Sequence, residues 1–354
     1  MAIGVSDQSS PKQFPLVQGL RAIAALSVAF AHIAHDALIA DPTAAGLASV
    51  VNAMPWTAGV DVFFVISGFV ITHSSRALFQ TPHAAQRFLA RRIARIVPLY
   101  WTMTTVFLIT LSLLPQAING AIGDAGYILK SYLFIPGTRP DGLVEPPLGL
   151  GWTLNYEMFF YLVFALFLRW RQAQAVASVC AVLAFAVLAQ SLAGFDAVAL
   201  ATWCNPIILE FCAGMLLALL PGRIAFPVWA RAAAVVAAVI AFQLQPESWP
   251  RVIAQGLPAA VLVAAAALGK PARKPLGFVR LGDASYALYL VHPFVMRAAN
   301  LIWQRLGHPG GPVVFVLLGL GAAQLAALLI YARFEKPAIK TLRNWLDVRT
   351  KTIG

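Results

Sequence analysis

Charge is what this sequence has least of. Only 11% of its 354 residues are Asp, Glu, Lys or Arg, against 60% hydrophobic, and the mean hydropathy is +0.76. Soluble domains carry roughly 25% charged residues, so a water-facing surface around one core is excluded. Cysteine is scarce too, with only Cys180, Cys204 and Cys212. None has CxxC spacing, which excludes a disulfide framework and a thiolate metal site, and no metal is expected. Cys204 and Cys212 fall in one apolar run, where a shared helix would hold them too far apart to bridge. Internal repeats are absent, and so is any linker long enough to set off a second folded domain. Residues 1–15 are polar with one Lys, and the first apolar run contains Arg21 and His32, which argues against a cleaved signal peptide.

What is present is apolar sequence in bilayer-length runs. A helix crossing the hydrocarbon needs roughly 20 mostly apolar residues at ~1.5 Å each. Ten runs qualify: 16–35, 56–72, 96–114, 148–168, 173–192, 197–220, 226–244, 252–268, 281–302 and 313–332. The expected fold is therefore all-α, a polytopic membrane helix bundle of about ten transmembrane helices. It forms a single membrane domain over residues 1–354, with no fused soluble domain expected.

Basic residues orient the bundle. With the N-terminus inside, one side collects Lys12, Arg21, Arg76, Arg87, Arg91, Arg92, Arg95, Arg169, Arg171, Arg223, Arg231, Lys270, Arg273, Lys274, Arg280 and six more from Arg333 onward. That is 21 of 26; the other side keeps Lys130, Arg139, Arg251, Arg297 and Arg305. Such bias predicts that both termini are cytoplasmic. Loops facing an anionic leaflet account for the net charge of +12, so the expected partner is the lipid bilayer and not nucleic acid.

Ionisable side chains inside a bilayer are costly, and each is a functional candidate. Arg21 and His32 are eleven residues apart on the first helix. That is about three turns, so they share a face ~16 Å apart along the axis. A bland alternative has Arg21 snorkelling to the headgroups and His32 simply packed. Asp61 lies in the run Gly59 to Phe69, and Glu157 follows Trp152-Thr153-Leu154. Ser285, Tyr289 and His292 fall at i, i+4 and i+7, one polar stripe on an apolar helix. His32, Asp61, Glu157 and His292 reach comparable depth, which suggests one shared polar cavity; a helix-packing network gives the same pattern. On the cytoplasmic side Arg92 and Arg95 share a helical face where the third run begins. Two guanidinium groups there suit phosphate binding, beyond the ordinary inward bias of Arg.

These motifs resemble the acyltransferase 3 family of membrane proteins. Arg21 and His32 match its Arg-x10-His element, and Gly59-Val60-Asp61 through Ser67-Gly68-Phe69 its second-helix motif. Arg92-Ile93-Ala94-Arg95 with Pro98 matches its Arg-x-x-Arg element. Trp152-Thr153-Leu154 with Glu157 and Tyr161 matches the fourth-helix motif, and Ser285-Tyr286 with Tyr289, Leu290 and His292 the ninth. The resemblance implies a bacterial inner-membrane O-acyltransferase with no permanently bound cofactor. It would take an acyl group from cytoplasmic acyl-CoA, usually acetyl-CoA, to a hydroxyl of a glycan or lipid-linked sugar outside.

Arg21, Arg92 and Arg95 would hold the donor's phosphates. His32 would act as general base or transient acyl carrier, oriented by Asp61 or Glu157, and His292 is a further expected catalytic residue. Trp152, Tyr289 and Ser67 are the expected substrate contacts. In the outer segment 115–147, Tyr127, Tyr132 and Phe134 either stack on sugars or form an interfacial aromatic belt. A flippase for a lipid-linked sugar would more often show repeats and broken helices in matching halves. A non-catalytic scaffold gives no reason to align Arg and His. An acceptor among secondary metabolites is the other enzymatic alternative.

Overall fold

The computed structural model describes residues 14–114, 122–220, 226–245, 248–269 and 276–352. Of the basic residues expected to face inward, Lys12, Arg223, Lys270, Arg273 and Lys274 lie outside the described residues. Every described element is helical. α1 (Pro15–Ala40) opens on a proline at a first-turn position, where the missing N–H costs nothing. A short α2 (Ala45–Asn52) and a 3₁₀ turn (Trp56–Ala58) lead into α3 (Gly59–Ser74). α4 (Ala84–Leu113) joins the arginine row to the apolar run behind it. The expected start at 96 is therefore too late, because Ala84–Ile96 contains good helix formers and no breaker.

α5 (Ala125–Tyr132) is capped by Asp124, whose Oδ1 accepts from the Tyr127 N–H at 2.7 Å. α6 (Trp152–Phe167) follows a 3₁₀ turn at Gly149–Gly151, and α7 (Gln172–Ala193) ends on Gly194 in the left-handed conformation. The run 197–220 does not make one helix. α8 (Val198–Trp203) stops, Asn205 Oδ1 accepts from Ile207 N at 3.1 Å, and Pro206 starts the turn that leads to α9 (Leu209–Leu219). Cys204 thus sits in the break and Cys212 on α9, where it meets Cys180 of α7.

α10 (Val228–Gln243) precedes a π turn (Val252–Gly256) and α11 (Leu257–Ala267). Next come α12 (Leu276–Asp283), α13 (Ser285–Arg305) and α14 (Gly311–Ile330). α14 continues through a π turn (Tyr331–Glu335) into α15 (Lys336–Thr352).

Six helices are long and apolar enough to cross a membrane: Pro15–Ala40, Trp56–Ser74, Ala84–Leu113, Gly149–Phe167, Gln172–Ala193 and Gly311–Leu346. Pro206–Leu219, Val228–Gln243 and Val252–Ala267 are shorter apolar helices, and α13 is long but more polar. The outer surface carries Leu192, Phe185, Leu166 and Leu318 at 80%, 71%, 69% and 68% exposure. Water would not tolerate such a continuous apolar skin, whereas lipid does. The chain is an integral membrane protein.

α1 and α3 form the centre of the bundle. α1 packs on α3, α12, α13 and α14, and α3 packs along α9. That last pair meets backbone to backbone at two glycines. A Cβ on Gly68 would stand 2.1 Å from the Phe211 carbonyl oxygen, and one on Gly214 1.9 Å from that of Val65. Without a hydrophobic drive between helices in lipid, such close approach is how they hold together. It also fixes the rotation of α3, and with it the direction in which Ser67 points.

Candidate active site

The site is built where α1, α3, α4, α6 and α13 converge. On α1, His32 is half-buried, and its Nδ1 lies 2.9 Å from Nε2 of the fully buried His292 of α13. The rings meet edge to edge and nearly coplanar, with centroids 5.2 Å apart and planes 8° from parallel. His292 Nδ1 in turn is 3.0 Å from the carbonyl oxygen of Leu288.

One turn back along α13, Tyr289 donates to the Leu150 carbonyl at 3.1 Å and accepts from Thr153 at 3.2 Å. These bonds tie α13 to the start of α6. Tyr289, Phe63 and Thr153 line one cavity together with Arg21, Arg92 and Arg95. Along α1 the eleven residues from Arg21 to His32 span ~16 Å, so the arginines and the histidine pair lie at opposite ends of one axis.

Glu157 lies in this cavity and accepts hydrogen bonds from Ser67 Oγ at 2.6 Å and from the Tyr161 hydroxyl. The three arginines are not equivalent. Arg95 Nη1 lies 2.6 Å from Glu335, a buried carboxylate of the second π turn, and the guanidinium sits over Tyr286. Arg21 and Arg92 form no ion pair among the described residues. Ser285, the first residue of α13, is fully buried and lines the same cavity, and its hydroxyl has no hydrogen-bond partner among the described residues.

Asp61 stands apart from this arrangement. Arg251 grips it with two hydrogen bonds, Nε to Oδ1 at 3.0 Å and Nη2 to Oδ2 at 2.8 Å. Glu210 of α9, 1% exposed, lies close enough to Asp61 and Arg251 to feel both charges. The single shared cavity expected from depth therefore resolves into three places: the histidine pair, the arginine cavity with Glu157, and the Asp61–Arg251–Glu210 cluster. Neither carboxylate expected to orient His32 touches it; its partner is His292. The expected common depth does not hold: α3 begins against Ala24 to Val28 of α1, short of His32, and Ser67, to which Glu157 is bonded, lies six residues and so ~9 Å along α3 from Asp61. Trp152 packs edge-on against Tyr156 and Phe64.

The outer-segment aromatics serve packing as well. Tyr127 donates to the Glu145 carbonyl at 2.7 Å, Phe134 is buried against Tyr100, and the Tyr132 hydroxyl meets Thr105 at 2.6 Å. In the same segment Arg139 bonds Asp141 and holds that carboxyl below its usual range. Sequence reasoning passed over Glu210 and Glu335. Glu210 carried a signal, being an acid inside an apolar run, whereas Glu335 beside other charges carried none.

Comparison with known proteins fits this geometry. Residues 15–332, nearly the whole chain, match a family model described as an acyltransferase domain. The chain belongs to the acyltransferase 3 family. It is 34% identical over 305 residues to the exopolysaccharide production protein ExoZ of Rhizobium meliloti (strain 1021), covering 80% of this chain and 89% of that one. Acyltransferase MdmB of Streptomyces mycarofaciens is 28% identical over 96% of this chain and 95% of its own length. Peptidoglycan O-acetyltransferase OatA of Listeria monocytogenes is 28% identical over 45% of this chain and 25% of its own. No solved structure matches the chain. As a member of this family the protein is an acyltransferase, and the arginine cavity and the histidine pair lie on the motifs that carried the resemblance.

Proposed function

We propose that the protein transfers an acyl group, acetyl in the simplest case, from cytoplasmic acyl-CoA to a hydroxyl of an extracytoplasmic glycan. The arginine-lined cavity carries this reading. Coenzyme A has an anionic phosphate end and a long thin pantetheine arm. Arg21 and Arg92, in no ion pair among the described residues, are suited to the phosphates, and Arg95 adds charge from its bridge to Glu335. The arm then runs toward Tyr289 and Phe63, and the thioester reaches the histidine pair. His32 takes the proton of the acceptor hydroxyl, whose oxygen attacks the thioester carbonyl. The carbon–sulfur bond breaks, and the departing thiolate receives that proton from His32.

The exopolysaccharide name of the ExoZ relative favours a surface polysaccharide, or its lipid-linked unit, as acceptor. With acyl-CoA inside and acceptor outside, ten spans with both termini cytoplasmic in a bacterial inner membrane suit the work. The test is CoA release from acetyl-CoA by the purified protein in nanodiscs, with and without cell-surface glycan, and mass spectrometry of the glycan. Acceptor-dependent release with a matching acetyl mass on the glycan is expected. Absence of both would sink the reading.

A further inference from the structure

The histidine pair has a direction, and it is set from the backbone of α13. Pro293 lies inside that helix and has no N–H, so the Tyr289 carbonyl loses its usual i+4 donor. His292, the residue before it, places Nδ1 3.0 Å from the Leu288 carbonyl oxygen. A carbonyl only accepts, so Nδ1 carries the proton. A cationic ring there would be a fully buried charge with no acid in ion-pair contact among the described residues. His292 is therefore neutral, and its Nε2 is an acceptor. That nitrogen faces Nδ1 of His32 at 2.9 Å. His32 must donate from Nδ1, which leaves the lone pair on its Nε2. These tautomers follow from the hydrogen-bond network.

We propose that His292 is the positioning residue that holds His32 in the Nδ1–H tautomer and so makes Nε2 its basic atom. The proposal rests on the reading of His32 as the base. The role is the one a carboxylate plays behind histidine in a hydrolase triad, performed here by a neutral ring. An uncharged partner suits this depth, because it orients the imidazole without a permanent charge in the bilayer interior. It also gives Asp61 and Glu157 no orienting duty.

Nitrogen NMR of histidine-labelled protein in nanodiscs reads the tautomers directly, with His32→Asn and His292→Gln used to assign the two rings among six histidines. Both rings should be Nδ1–H in the native protein. In His292→Ala, His32 should relax toward Nε2–H, and kcat should fall about 10²-fold with KM for acyl-CoA unchanged. His292→Gln offers an amide oxygen where Nε2 stood, and should recover a substantial part of the loss. A native His32 that is Nε2–H overturns the proposal, and so does a folded His292→Gln as inactive as His292→Ala. Normal transfer by His32→Asn would remove His32 as base while leaving the tautomers to decide whether His292 orients it.

Discussion

At the scale of single residues, the three polar clusters predict three different mutant behaviours. His32→Asn keeps shape and hydrogen bonding but cannot take a proton at neutral pH. Acyl transfer should fall by ~10²-fold or more with acyl-CoA binding retained, as CoA-release kinetics will show. His35→Asn, at an exposed position three residues along, should keep most activity. Arg92→Ala removes a guanidinium that no carboxylate among the described residues holds in an ion pair, so the loss should fall on donor binding. Charge-assisted contacts are worth ~1.5–3 kcal/mol, which weakens acyl-CoA binding roughly 10- to 150-fold in a titration. Arg95→Ala is a less clean test, because it also strands the buried Glu335. Asp61→Asn breaks the bidentate grip of Arg251 beside Glu210. Losing one partner of a buried pair costs ~3–5 kcal/mol, and the low end applies because the Arg251 side chain is 40% exposed. The expected outcome is a lower unfolding temperature with near-normal turnover in the folded fraction. Full stability with lost turnover would return Asp61 to the chemistry.

At the scale of elements, α13 keeps a helix defect where the chemistry is proposed to occur. A proline inside a helix is ~3 kcal/mol less favourable than alanine, and the sequence carries one immediately after His292. Pro293→Ala returns an N–H to the Tyr289 carbonyl and removes the helix defect beside His292. The helix should become more stable while His32 is oriented less firmly. A raised unfolding midpoint together with lowered kcat is therefore expected from calorimetry and kinetics on the same preparation; a rise in both would show that the proline has no part in positioning. The α3–α9 contact works the opposite way, since Gly68 and Gly214 permit a close approach that any side chain would break.

For the whole molecule, the charge asymmetry makes the topology testable. With 21 of 26 basic residues on one side of the ten-span reading, both termini should be cytoplasmic. A reporter fused after Gly354 should be active only inside, and activity only outside would refute the orientation. Composition and run length by themselves determined the membrane class, the helical architecture and most helix positions, because bilayer chemistry acts on each segment separately. Motif spacing marked Arg21, His32, Arg92, Glu157 and His292, since a helix fixes which residues of one segment share a face. Partner choice belonged to the tertiary structure. His32 and His292 are 260 residues apart, as Asp61 and Arg251 are 190 apart. Whether such groups meet depends on how each helix is rotated against its neighbours, and glycine contacts and broken helices set that rotation. Hydropathy suggested one depth for four ionisable groups, and only packing decided that two histidines face each other while both acids lie elsewhere.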